Sequence, residues 1–175
     1  MREDNQRRAE KIKLVLMDCD GVLTSGHITL LPDGEEVKSF HSHDGQAIVL
    51  MRQFHIKTGI ISGRGSKALE KRAHENRIDF LFQHSNNKLS DYQKILEQSG
   101  LTDEQVAYIG DDLPDIAVMR RVGFAVAVAN AAPEVKATAH LVTEKSGGDG
   151  AVRESLEFIL KAQSLWELVL NKYIF

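Results

Sequence analysis

The sequence predicts an α/β fold, open and doubly wound around a parallel sheet. Two observations carry this expectation. Short apolar runs alternate with longer amphipathic segments from residue 14 to residue 142, the pattern of βαβ units whose strands are covered by helices on both faces. Glycines punctuate the element ends, with Gly100, Gly110 and Gly123 standing where the chain has to turn.

The first strand is Leu14–Met17, four apolar residues that run straight into Asp18, Cys19, Asp20 and Gly21. Carboxylates at the end of a buried strand are costly unless something compensates them. Residues 22–40 then break the alternation. Two strand-like runs around Pro32-Asp33-Gly34 predict a β-hairpin, a flap projecting over the end of the first strand. Beyond it the pattern predicts helix over 46–54, strand over 57–61, helix over 67–76, strand over 80–82 and helix over 88–98. Strand over 106–109, helix over 113–122, strand over 124–128, helix over 133–138 and strand over 140–142 complete the series. A long helical apolar pattern occupies 151–170 through Val152, Leu156, Ile159, Leu160 and Leu165. The closing SLWELVLNKYIF is too apolar for a free tail and is expected to pack on the protein or on a neighbouring subunit. No repeat or linker divides the chain, so residues 1–175 are expected to form a single domain, with the flap at about 22–40 and a C-terminal helix and tail at about 151–175.

Composition narrows the functional classes. A 42% hydrophobic chain of 175 residues supports an adequate core. A net charge of −3 and the absence of a Lys/Arg block give no footprint for nucleic acid, and no apolar run is long enough to cross a bilayer. MREDNQRRAEKIK lacks the apolar core of a signal peptide. The single cysteine, Cys19, excludes an internal disulfide framework and fits a reducing compartment. A cytoplasmic protein without nucleic-acid or membrane partners is expected.

In open α/β sheets ligands bind beyond the carboxyl ends of the strands, so the residues that follow each run matter. The first run ends in Asp18 and Asp20, the second in Ser62-Gly63-Arg64, the third leads to Lys88, and the fourth gives Asp111, Asp112 and Asp115. Carboxylates crowded at one point repel unless a cation intervenes, and Mg²⁺ prefers such oxygen donors. One carboxylate can then attack phosphorus to give an aspartyl-phosphate. A second acid two residues on can protonate the leaving oxygen and later activate water. Ser62, the backbone N–H groups at Gly63, and Lys88 are suited to phosphoryl oxygens.

The series DxDGVLT, SGR, a lone lysine and GDDxxD, spanning residues 14–115, resembles the four motifs of the haloacid dehalogenase superfamily of phosphatases. That resemblance implies a Rossmann-like sheet with Asp18 as nucleophile and Asp20 as general acid/base. It also implies Mg²⁺ held by Asp18, the backbone carbonyl of Asp20 and Asp111, with Asp112 or Asp115 in support, and phosphate held by Ser62, Gly63 and Lys88. The wider set of Asp20–Thr24 with Gly26, Phe40–Gly45, Ile61–Arg64, Lys88, Tyr108–Asp115 and Gly147–Glu154 is similar to the 3-deoxy-D-manno-octulosonate 8-phosphate phosphatases. These hydrolyse a sugar-acid phosphate to the free sugar acid (KDO) and phosphate in lipopolysaccharide precursor biosynthesis. The resemblance implies substrate contacts near Thr24, Asp44 and Arg64, and a homotetramer whose neighbours wall the site. Arg64 offers a guanidinium fork suited to a sugar-acid carboxylate. Phosphatases of nine-carbon keto-sugar acid 9-phosphates are similar too, but tend to carry glutamate at that position.

Spacing agrees with an enzyme lacking a cap domain. The flap has only about twenty residues, and the gap from Ser62 to Lys88 holds one helix and one strand, too little for a separate domain. The chain departs from the family pattern at Gly65, where an acid is frequent, and at His84-Ser85-Asn86-Asn87, where a glycine and an extra lysine are common. It also lacks the arginine often found before Asp44. Cys19 should point away from its flanking acids by strand alternation. His41, His43 and His55 suit structural or substrate-facing roles better than a zinc site. Asp112 and Asp115 also suit a helix start. Gly147, Gly148 and Gly150 read either as a mobile hinge or as an ordinary loop before the last helix, and Arg153 either reaches a neighbour's site or lies on the surface. Two non-catalytic classes compete with the phosphatase. A phosphoacceptor domain would need an aspartate after the third strand, which this chain lacks; a silent regulatory module would not need the complete acid and metal set.

Overall fold

The computed structural model describes residues 2–174. In chain order its elements are α1 (Arg2–Ala9), β1 (Leu14–Met17), β2 (Thr29–Leu30), β3 (Glu36–Val37), α2 (Ser42–Gln53), β4 (Lys57–Ile61), α3 (Lys67–Glu75) and β5 (Phe80–Phe82). There follow α4 (Lys88–Ser99), β6 (Val106–Gly110), α5 (Ile116–Met119), β7 (Phe124–Ala127), α6 (Pro133–Thr138), β8 (Leu141–Val142), α7 (Ala151–Ala162) and α8 (Trp166–Ile174).

Every residue of β1, β6 and β7 is buried, which is why these strands read as unbroken apolar runs rather than alternating ones. Met17 of β1 pairs in parallel with Ile60 of β4 on one side and Ile109 of β6 on the other. The remaining parallel pairings extend the sheet to six strands in the order β5-β4-β1-β6-β7-β8. The chain therefore winds outward from β1 through β4 and β5, returns to the centre, and winds the other way through β6, β7 and β8. Right-handed crossovers in opposite directions put helices on opposite faces. Accordingly α2 and α1 pack on α7, while α4, α5 and α6 form a second contiguous set. The reversal lies between β1 and β6, so their carboxyl ends define the crevice where open sheets bind ligands.

The helix ends follow local chemistry. Asn87 caps α4 by accepting from Ser90 N–H at 3.1 Å, and Gly100 ends it in the left-handed region at φ +68°. Helix α2 starts at Ser42, four residues before the expected Gln46, because apolar periodicity is silent across Ser-His-Asp-Gly. The pattern read over 113–122 resolves into a 3₁₀ turn at Leu113–Asp115 and only four α-helical residues. The pattern over 151–170 is broken at Ser164, which sits at φ +58°. Chain direction changes there, and α8 folds back. Val169 is buried, Trp166 lies under Arg153 and Lys161 at 5.0 and 5.8 Å from its ring centroid, and Gln46 Nε2 donates to Tyr173 Oη at 2.9 Å. The apolar C-terminus thus packs on its own chain, leaving Leu168, Tyr173 and Ile174 exposed.

The flap is a separate two-stranded sheet of two residue pairs, Thr29 with Val37 and Leu30 with Glu36. It is the only element inserted between β1 and α2, and only α3 and β5 separate Ser62 from Lys88. Among the described residues no helix is long and apolar enough to cross a membrane.

Candidate active site

Asp18 is the residue that follows β1, and its N–H donates to Ile109 O at 3.0 Å, so the sheet ladder itself fixes its position. The next residues wrap around one carbonyl: the N–H groups of Val22, Leu23 and Thr24 all donate to Cys19 O. Thr24, expected to face substrate, is buried and uses its hydroxyl inside this loop. It accepts from Gly21 and Gly26 N–H and donates to Cys19 O. Gly21 is required twice, since it sits at φ +102° and a Cβ there would lie 2.0 Å from Asp111 Oδ2. The acid after β6 therefore lies directly on the loop after β1.

Three charged side chains at this crevice form one connected unit. Lys88 Nζ, at the start of α4, donates to Asp18 Oδ1 at 2.6 Å and to Asp115 Oδ1 at 2.7 Å. Asp115 also accepts from the Tyr108 hydroxyl at 2.7 Å and from Asp111 and Asp112 N–H at 2.9 and 3.2 Å. Both its oxygens are thus committed to holding Lys88 and the loop after β6. Asp112, by contrast, is exposed and caps the 3₁₀ turn through Leu113 N–H. Tyr108 was not singled out by the sequence; a tyrosine inside the fully apolar run VAYI is the signal that was present, because a buried phenol needs a partner.

Asp18, Asp111 and Asp115 each bring one carboxylate oxygen within 4.8 Å of the others. Burial first, then Asp18 and Asp115, push the Asp111 carboxyl up to about 8. Burial likewise raises Asp18 to about 6 against the opposing pull of Lys88. Asp111 Oδ1 is buried without any hydrogen-bond partner. Hard oxygen donors, mutual repulsion and an orphaned oxygen at one point are what a divalent cation such as Mg²⁺ satisfies, so the residues fit that group.

Ser62 follows β4, buried, with its N–H on Phe82 O at 2.9 Å and its Oγ accepting from Arg64 N–H at 3.3 Å. Gly63 follows within the same turn. Arg64 Nη2 reaches Glu36 Oε2 of the flap at 3.4 Å, and Lys38, just beyond β3, pairs with both Asp20 and Glu36. Neither flap residue was singled out, although the i, i+2 spacing of Glu36 and Lys38 places them on one face of a strand. A cleft of about 640 Å³ opens beside them, with Leu30, Glu36, Arg64 and Lys67 on its walls.

Asp44 is not brought into this constellation. It is buried, and its Oδ1 accepts from Arg153 N–H at 2.7 Å, joining the starts of α2 and α7. His41 and His43 stack edge-on at 5.0 Å, and neither they nor His55 joins the acidic cluster. Cys19 is buried. The glycine loop after β8 is a tight wall: Gly148 N–H donates to Val22 O at 3.0 Å, and a Cβ on Gly147 would lie 1.7 Å from Gly21 O. Arg153 pairs with Glu157 at 3.2 Å on its own helix.

A profile for haloacid dehalogenase-like hydrolases matches residues 70–154. The 3-deoxy-D-manno-octulosonate 8-phosphate phosphatase of Yersinia pestis is 44% identical over 165 residues, 94% of this chain and 88% of its own length. The chain belongs to the haloacid dehalogenase-like hydrolases. Two solved members of that family share its architecture. The Yersinia pestis phosphatase has a TM-score of 0.93 at 44% identity, covering 94% of this chain and 89% of the other. The phosphatase of the same name from Moraxella catarrhalis, solved in complex with magnesium ion, phosphate ion and a KDO molecule, has a TM-score of 0.96 at 36% identity and 98% coverage of both chains. The family resemblance drawn from four motifs thus extends to nearly the whole hydrolase chain.

Proposed function

We propose that this chain is a Mg²⁺-dependent phosphomonoesterase that hydrolyses 3-deoxy-D-manno-octulosonate 8-phosphate to KDO and phosphate through an aspartyl-phosphate. The observation that carries the reading is the unit at the β1–β6 crevice: Lys88 between Asp18 and Asp115, with an unpartnered Asp111 oxygen beside them. Relatives bearing that activity's name match over nearly the full chain.

The chemistry follows from the residues. Asp18 Oδ1 is held by Lys88, leaving its other oxygen to attack phosphorus; a P–O bond forms to Asp18 as the bond to the sugar oxygen breaks. Asp20 gives its proton to that leaving oxygen, then takes one from the water that attacks the aspartyl-phosphate and frees Asp18. Lys88, Ser62 Oγ and the Gly63 N–H supply positive charge and donors to the phosphoryl oxygens. Asp18, Asp111 and the Asp20 carbonyl would hold Mg²⁺, which when bound supplies the charge that allows a carboxylate and a phosphate dianion to meet. Asp115 supports by fixing Lys88 and the Asp111 loop, and Asp112 serves the turn.

Arg64 favours the eight-carbon acid over its nine-carbon analogue. Residues 1–175 acting as one domain, a cytoplasmic location and assembly into a homotetramer whose neighbours wall the open site complete the reading. The test is phosphate release from a panel of sugar-acid phosphates with Mg²⁺. The highest kcat/KM on the eight-carbon 8-phosphate, loss with EDTA and no turnover by Asp18→Asn are expected. Preference for the nine-carbon 9-phosphate would overturn the substrate, and an active Asp18→Asn the nucleophile.

A further inference from the structure

Lys38 is charged yet its side chain is only 3% exposed, on a flap whose own strands have two residues each. The flap's apolar anchors, Val22, Leu23 and Phe40, lie at its base; in the hairpin itself Ile28, Leu30, Leu31 and Val37 all stand 43–61% exposed, and a two-stranded hairpin this short has little stability of its own. What ties it down is ionic. Glu36 and Lys38 share one strand face, turned inward, while Val37 between them faces out. Lys38 Nζ donates to Asp20 Oδ1 and to Glu36 Oε1, and Glu36 Oε2 receives Arg64, so a continuous chain of alternating charge runs from the loop after β1, through the flap, to the turn after β4.

We propose that Lys38 is a positioning residue for the reaction: it clamps one oxygen of Asp20 so that the other is aimed at the leaving oxygen, making proton delivery depend on the seated flap. An ammonium suits this role because its three donors bridge two carboxylates without fixing a plane. Glu36 completes the clamp by holding Lys38 from the other side and linking it to Arg64. The inference rests on the assignment of Asp20 as the general acid, and the experiment separates the two.

kcat/KM is measured for p-nitrophenyl, phenyl and ethyl phosphate, with Mg²⁺, in the wild type and in Lys38→Met, Lys38→Arg and Asp20→Asn. kcat/KM reports steps through departure of the alcohol, and none of these esters carries a sugar acid. p-Nitrophenolate leaves without help, whereas ethoxide needs a proton. Asp20→Asn is expected to lose about 100-fold or more on ethyl phosphate, within the usual 10²–10⁴ range for general acids, and far less on p-nitrophenyl phosphate. Lys38→Met should steepen the dependence on the leaving group in the same direction, and Lys38→Arg should return part of the loss. An equal fall on all three esters by Lys38→Met, or a fall confined to a sugar-acid phosphate, overturns the positioning role and leaves Asp20 as assigned. An unchanged slope in Asp20→Asn overturns both. Circular dichroism on each variant confirms the fold, and Glu36→Gln, which loosens Lys38 without removing it, should shift the slope the same way by a smaller factor.

Discussion

Asp115 is the residue on which the charge arrangement turns. Its two oxygens accept from Lys88, Tyr108 and two backbone N–H groups, and it is 1% exposed. Asparagine would keep one acceptor and turn an NH₂ toward donors, leaving Lys88 with a single buried partner. Breaking one side of a buried ion pair costs about 3–5 kcal/mol. Asp115→Asn should lose that much in urea unfolding and lose kcat as Lys88 swings away from Asp18. Tyr108→Phe should cost only about 1 kcal/mol, the worth of one hydrogen bond, with activity kept. At Asp111 the sign runs the other way. Its folded carboxyl is raised from 3.8 to about 8, so without a cation the folded state holds the proton more tightly than the unfolded chain. Its contribution to stability is full below pH 3.8 and is lost as pH climbs toward 8. Thermal melts in EDTA should therefore fall over that window, the rise in Tm given by Mg²⁺ should grow with pH, and Asp111→Asn should flatten both. A Mg²⁺ effect independent of pH would reject the carboxylate as the cation's partner.

At the scale of elements, the buried parallel strands were the most legible part of the sequence, because burial on both faces leaves continuous apolar runs. β1, β4 and β5 coincide with the runs read for them, and β6, β7 and β8 differ by one residue at an end. What stayed hidden depends on partners distant in sequence. α1 has no apolar stripe and is held instead by Asn5 on His140 O and Arg8 on Gly123 O. The break at Ser164 lacks the glycine that marks such turns. Lys38 and Tyr108 gain their roles only when the flap and the end of β6 meet Asp20 and Asp115. Gly65 and His84 look like separate departures from the family pattern, yet the His84 ring fills the space a Cβ on residue 65 would take. Asp44 makes the same point for helices. It accepts from Arg153 N–H at the start of α7, so Asp44→Ala would strand that donor at about 1–3 kcal/mol. Asp44→Asn, which keeps an acceptor, should recover most of that loss. Equal destabilisation by both variants would mean that the negative charge between two helix starts, not the hydrogen bond, is what matters.

For the whole molecule, the order β5-β4-β1-β6-β7-β8 sets the ends of β1 and β6 side by side, and that topology is why Asp18 converges with Asp111 and Asp115, far from it in sequence. The same topology adds no domain over the crevice: the insertion after β1 is a hairpin of two residue pairs. Phosphoryl transfer through a carboxylate benefits from excluding water, and beside the short flap, with its four exposed apolar residues, a cleft of about 640 Å³ opens toward the turn after β4. Ile28, Leu30, Leu31 and Val37 are clustered on one short segment and uncovered within the chain, which is how a surface between copies presents itself. Association through the flap would bury these side chains and wall the site in one step. Leu31→Glu with Val37→Glu places two like charges at that contact on the face of the hairpin opposite to Glu36 and Lys38. Light scattering should show the wild type as an assembly of several chains and the double variant as a smaller species. The variant should lose more kcat/KM on the sugar-acid phosphate, whose body extends into the walled space, than on p-nitrophenyl phosphate. A wild type that is monomeric at assay concentrations, with full activity on the sugar-acid phosphate, would mean that the flap closes the site alone.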